Sequence, residues 1–275
     1  MTSVDPSRPN PGSSLAARAL RASTAAWCAV AAVGIWIFAY YIIALYGGGL
    51  VSGDLERWNT VLPDGHGYVR GDHSGNLALG AHLVAAAVIA LAGVLQLSPR
   101  IRRKAPAFHR WNGRVFIALA WAASLTGLII AFIRGPVSGD YMTAGNLINT
   151  VLVLVFGGLA WSRARSGRMA AHQRWALRLF IVVYAVWFYR LGMMLWMVAN
   201  GGPVGHTDAF DGPFDIFLAF AHVLAPLALL EIYFLARDRT GPAAKYSMAA
   251  AMAVLTLATL AASAAATAFM WLPPL

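Results

Sequence analysis

The sequence predicts an all-α, polytopic membrane helical bundle of seven transmembrane helices, with the N-terminus cytoplasmic and the C-terminus outside. Three observations predict it. Hydrophobic residues make up 59% and charged residues 12% of the 275 residues, against about 25% charged in an average soluble domain. The mean hydropathy is +0.63. The basic residues gather in alternate connections between the apolar stretches. A water-soluble surface needs more charge, and a disordered chain needs fewer apolar residues. Lipid is therefore the main solvent of this chain.

Each element follows from the length of its apolar run, since about 20 helical residues cross a bilayer core. Seven runs qualify, near 25–46, 77–97, 113–133, 142–161, 176–199, 214–235 and 246–271. Long unbroken runs select helices over barrel strands, because every backbone amide in lipid must bond within its own segment. Residues 1–24, rich in Pro, Ser, Arg and Ala, read as a flexible cytoplasmic tail preceding one membrane domain over 25–271. The 47–76 stretch, with many Gly and Asp, reads as the largest external loop, a functional lid or a disordered segment. The last run is low-complexity and is expected to be peripheral, without chemistry.

Charge sets the orientation. The tail, the 98–114 loop, the 162–178 loop and the 236–245 loop together hold 17 of the 21 Lys and Arg residues. The opposite segments hold only Arg57, Arg70 and Arg134, but carry eight of the acidic residues. Positive charge retained in the cytoplasm puts the tail inside. The net charge of +10 is thereby explained by topology and anionic headgroups, and a nucleic-acid partner is not needed. Membrane lipids are the expected partners. The single Cys28 excludes an intrachain disulfide and a Cys-based zinc site.

The ionisable residues inside the apolar runs are the candidate site. His82 and His222 fall at similar heights in the outer leaflet of helices two and six, counted at about 1.5 Å per residue. His109 and His172 open helices three and five at the inner interface. Two pairs of imidazoles, one per leaflet, match the axial ligation of two b-type haems. Such haems would form an electron path across the membrane, with quinone or another redox partner at its ends. The competing reading of His109 and His172 is interfacial anchoring beside lipid phosphates. His66, His73 and His206 read as solvated loop residues, and a metal site from His66, Asp72 and His73 lacks a defining spacing.

Arg190 lies about nine residues from the outer end of helix five, where a guanidinium is expensive and calls for an acceptor or an anion. With His82, Asn146, Asn149 and His222 it outlines an outer polar site, able to hold a haem propionate or an anionic substrate; snorkelling to the headgroups is the bland alternative. Glu231 is the only acid deep inside an apolar run, Asp215 standing at the outer edge of the same one. An ion pair with Arg178, or with Arg114 as competitor, is its economical explanation, and Gln96 joins the same inner layer.

Those residues carry a resemblance. His82 with Gly93-Val-Leu-Gln96, then Arg100, His109-Arg-Trp-Asn-Gly113-Arg114, His172-Gln-Arg-Trp175-Ala-Leu-Arg178, Arg190 and Glu231 resemble the bacterial predicted membrane protein family called domain of unknown function 2306, over residues 77–235. The resemblance implies a multi-pass protein of the bacterial cytoplasmic (inner) membrane and names no reaction. Helix two onward is also loosely similar to transmembrane b-type cytochromes, with a different spacing of ligand-bearing helices. Three readings follow: a haem b electron carrier, a cofactor-free transporter or lipid-binding protein with an anion site around Arg190, and a structural subunit. No nucleophile–base pair, phosphate loop or HExxH element appears, which argues against hydrolase chemistry of the soluble kind.

Overall fold

The computed structural model describes residues 11–238 and 241–275, with side chains from residue 14. Among them no strand occurs. Six helices are long and apolar enough to cross a membrane, and a bent helix pair makes a seventh. Span one runs Pro11–Ile42 and continues through a π turn at Ile43–Gly47 into Gly48–Ser52. Span two is His73–Gln96, span three Pro106–Arg134 and span four Gly139–Arg165. Span five is the bent pair Met169–Val183 and Ala185–Asn200. Span six is Pro213–Asp238, and span seven is Pro242–Ala266, ending in a second π turn at Thr267–Trp271.

The seven runs found in the sequence are all present. Their ends extend toward the basic connections: span three begins at Pro106, not 113, and span five at Met169, not 176. Arginine is a good helix former, so apolarity ends before the helix does. The segment 11–24, expected to be flexible, is helical. Its Leu20 packs with Ala236, Met248 and Met252 of spans six and seven. Residues 1–10 lie outside the described residues.

The spans form a ring in the order one, two, three, four, six, seven and back to one. Span five fills the middle. Its Leu179, Val182, Tyr184 and Trp187 are buried almost completely. Trp187 lies against Gly34 of span one, where a Cβ would come within 2.9 Å of the indole and 2.7 Å of the Ser263 hydroxyl of span seven. Trp175 packs on Phe156 of span four at 5.4 Å between centroids, and Gly192 meets Leu218 of span six. Span seven is not the bystander its composition suggested. It lies along span one, and its small residues let the two backbones approach. Trp27 donates to Thr259 across that seam at 3.2 Å.

The bend in span five is 54°, and neither proline nor glycine stands at it. Tyr184 takes φ −93°, ψ 16° and serves as the last cap of one half and the first of the other. Its N–H donates to the Phe180 carbonyl, and its own carbonyl accepts from Trp187 and Phe188. Non-helical backbone at this depth is tolerated only inside protein. The Tyr184 hydroxyl fixes the joint by donating to the Ile89 carbonyl of span two at 2.9 Å. Gly93 makes the room, since a Cβ there would collide with that hydroxyl and with Phe116 of span three.

Gly93→Ala is therefore expected to lower stability by about 1–3 kcal/mol through overpacking. Tyr184→Phe, which removes one interhelical bond, is expected to cost about 0.6–1.7 kcal/mol. Unfolding midpoints in sodium dodecyl sulfate titrations check both values and their order.

Candidate functional site

Five of the polar side chains singled out in the sequence, His82, Gln96, His172, Arg178 and Glu231, act as staples between helices. His82 brings Nδ1 to the Ala123 carbonyl at 3.0 Å and to the Thr126 hydroxyl at 3.3 Å, both on span three. Its ring rests against Gly127. His222 is buried and brings Nδ1 to the Leu218 carbonyl of its own helix at 2.9 Å. Its ring rests against Gly145 of span four and edge-on to Tyr189 of span five at 5.9 Å. Pro226, four residues on, has no N–H to give the His222 carbonyl.

The two outer imidazoles thus occupy different joints, two/three and four/five/six, and the structure does not bring them together across one opening. Matched height came from the helical rise; facing depends on helix rotation, and here each ring turns to its own neighbour. The wider cluster expected around them divides likewise. Asn146 is exposed, and Asn149 keeps a buried carbonyl oxygen without a partner.

At the basic end, His109 and His172 do come near each other, within range of each other's charge. His172 Nδ1 meets the Ala160 carbonyl at 2.9 Å, whereas His109 Nδ1 is buried without a partner. Gln96 donates to the His109 carbonyl at 3.1 Å, and Asn112 to the Ala92 carbonyl at 2.9 Å, tying spans two and three. Arg178 holds Glu231 with a two-pronged contact of 2.7 and 2.8 Å and lies over the rings of Trp175 and Phe234. The expected ion pair is formed, and Arg114 is not its partner: Arg114 stacks on Trp111 instead, 4.7 Å from its centroid.

Arg190 differs from these. It lies six residues past the break, with its guanidinium 5.1 Å above the Phe38 ring of span one. Its charge reaches Tyr41, Tyr46 and Tyr189. Its one hydrogen bond is a long 3.4 Å contact to the Val186 carbonyl of its own helix. Among the described residues no carboxylate lies within ion-pair distance. Both π turns border this cluster. Tyr46 belongs to one and Trp271 to the other, and Trp271 packs on Phe38 at 5.3 Å and on Tyr41 at 6.5 Å.

The external loop closes over the same end. Trp58 is buried, donates to the Tyr46 carbonyl at 3.0 Å and meets its ring edge-on. Arg134 anchors the loop, donating to Asp72 at 2.7 Å, Asn76 at 2.8 Å and the Gly67 carbonyl at 2.6 Å. Its side chain is 4% exposed. Asp72 also caps span two through the Gly75 N–H. A second clasp pairs His206 with Asp215 at 2.7 Å. Neither clasp was found in the sequence, although Arg134 is one of only three basic residues in the acidic outer segments. Among the described residues no group of three His, Cys, Asp or Glu could hold a metal ion, and Asp72, weighed in the sequence as one ligand of a loop metal site, is engaged by Arg134.

Residues 79–209 match the model of the family described as predicted membrane protein (DUF2306). That supports the resemblance read from the motifs and leaves the likeness to cytochromes without support. No curated protein and no solved structure matches the chain. The matched segment contains the break, Gly93 and Arg190 but ends before His222 and Glu231.

The Arg134 guanidinium, followed by the Gly75 N–H, holds the Asp72 carboxyl below the usual carboxylate range. A depressed folded-state pKa stabilises the loop above the unfolded value, about 3.9, and that stabilisation is lost as pH falls through the lower folded value. Amides at 53–72 are expected to keep their hydrogen-exchange protection at neutral pH and lose it below about pH 4, while Asp72→Asn loses protection already at neutral pH. Mass-spectrometric exchange at several pH values checks both.

Proposed function

We propose that this is a multi-pass protein of the bacterial cytoplasmic membrane, N-terminus inside, that binds and passes on an anionic small molecule or lipid through Arg190. The carrying observation is a guanidinium on a broken central span, among aromatic rings, with no carboxylate among the described residues within ion-pair distance. A charge in that position is costly unless something completes it. Discontinuous spans are where membrane transporters place their binding sites. The Tyr41, Tyr46 and Tyr189 hydroxyls near the cation supply the hydrogen-bonding partners an anion's remaining lone pairs require. The orientation rests on the basic loops at the opposite end, and lipids surround the apolar outer faces.

Arg190→Gln tests this. Removing a charge that balances nothing in the protein is expected to leave the melting temperature in detergent unchanged or slightly raised. The wild-type chain is expected to gain melting temperature with an anion probe, decanoate or inorganic phosphate, by mass action, and Arg190→Gln to lose that gain. If neither probe moves the wild type, or if the variant keeps the whole gain, Arg190 is not an anion site.

A second reading is favoured by one observation, the nearness of His109 and His172. A single haem b between them would supply one-electron chemistry, passing electrons to quinone or another partner. His172 suits the ligand pattern, with Nδ1 on a carbonyl and Nε2 available; His109, whose Nδ1 has no acceptor, suits it in part. Protein expressed with ample haem is then expected to show a dithionite-reduced α band that the His109→Ala and His172→Ala variants lose. A featureless visible spectrum removes this reading.

A further inference from the structure

A groove of about 530 Å³ opens on the outer face of the ring between spans three and four, toward the basic end. Trp111, Arg114, Ile117, Trp121, Gly158 and Trp161 line it. Nothing in the Arg190 site uses it. Arg114 stands at its basic-end mouth, stacked on Trp111, and among the described residues no carboxylate lies within ion-pair distance of it. Twenty residues separate Arg114 from Arg134 along span three, a rise of about 30 Å, which is the thickness of the hydrocarbon core. Arg134 is fixed in the outer loop clasp. Arg114 therefore lies at the level of the opposite headgroups, and the groove runs from that level into the acyl region.

The groove is not filled by its own walls. A Cβ at Gly158 would meet nothing within 4 Å, whereas the adjacent Gly157 is covered by Trp121. A trough of indole rings with one free cation at its headgroup end has the shape and charge of one molecule class. We propose that it holds an anionic glycerophospholipid, one acyl chain lying between spans three and four and the phosphate on Arg114. Dispersion contact along the indole faces holds the chain, because lipid tails gain nothing from the hydrophobic effect inside a bilayer. The charge-assisted bond to Arg114 selects the anionic headgroup. The Trp111 and Trp161 indoles belong at the interface depth where Trp concentrates.

Native mass spectrometry of the delipidated full chain tests the proposal, with phosphatidylglycerol and phosphatidylcholine supplied separately. The wild type is expected to retain the first about five-fold better than the second, the ratio for one added cation near a lipid surface. Arg114→Gln is expected to remove that preference. Gly158→Leu, projecting into open space, is expected to lose the tightly held lipid of either kind. Gly158→Ala, which leaves the trough open, is expected to keep it and to report that the helix tolerates substitution. Val254→Leu, on the exposed face of span seven, controls for ordinary surrounding lipid. Equal retention of both lipids by the wild type overturns the proposal. So does an unchanged adduct count in Gly158→Leu, or a dimer that Gly158→Leu dissolves, since the trough would then be a contact between copies.

Discussion

Backbone groups at membrane depth must find partners inside the protein, and the rest of this structure depends on how that constraint is met at Tyr184. A break in the middle of a span exposes amides and carbonyls that lipid cannot satisfy. Here Val182, Tyr184 and Ala185, the residues at the break, are buried among the other spans. The ring of six helices is the enclosure, and the seam between spans one and seven closes it. The tyrosine hydroxyl then ties the broken span to the Ile89 carbonyl, and the missing side chain at Gly93 lets the ring enter. Beyond the break Trp187, Leu191, Met193 and Met194 stay buried, Val186, Leu195 and Val198 are exposed, and Arg190 is half-buried between these faces.

The same constraint explains why the motif residues behave as they do. Gln96, Asn112, His82 and His172 all have backbone carbonyls as partners. In water such contacts compete with solvent; between spans they connect helices whose apolar surfaces have no preference for one another over lipid. A pattern of His, Gln and Asn at helix ends therefore does not by itself identify a cofactor site. His109 and His172 lie within range of each other's charge, and there one ring nitrogen is left without an acceptor.

Seven apolar runs, their alternating charge and the Arg178–Glu231 pair were legible in the sequence, because each depends on position along a helix. Length fixes the number of crossings, and rise per residue fixes depth. What required coordinates was rotation about each helix axis and order around the ring. His82 and His222 share a level yet turn into separate joints, a difference of azimuth that depth cannot reveal. The break at Tyr184 was hidden for another reason: the segment Val183-Tyr184-Ala185 carries no residue that disfavours helix strongly, and it bends because Gly93 on a distant span leaves a hollow. The Ala-rich last span looked uninformative because its role is close approach, which small side chains serve without any motif.

Arg134 and Arg190 stand toward the same end of the bundle and show two outcomes for one side-chain type. Arg134 spends its donors on a carboxylate, an amide and two carbonyls, and is sealed from solvent. It is finished by the protein itself, and its consequence is a loop pinned over the outer end of the bundle. Arg190 has a ring face, three nearby phenols and one long bond to its own helix. An aromatic face attracts a cation but leaves its N–H fork largely unused. Packing that needed only a long side chain there would be served by Leu or Met at lower cost, since neither brings a charge to be desolvated. On the function proposed above, the unfinished guanidinium, on the broken span and under the loop that Arg134 clasps, is a contact completed by something that comes and goes.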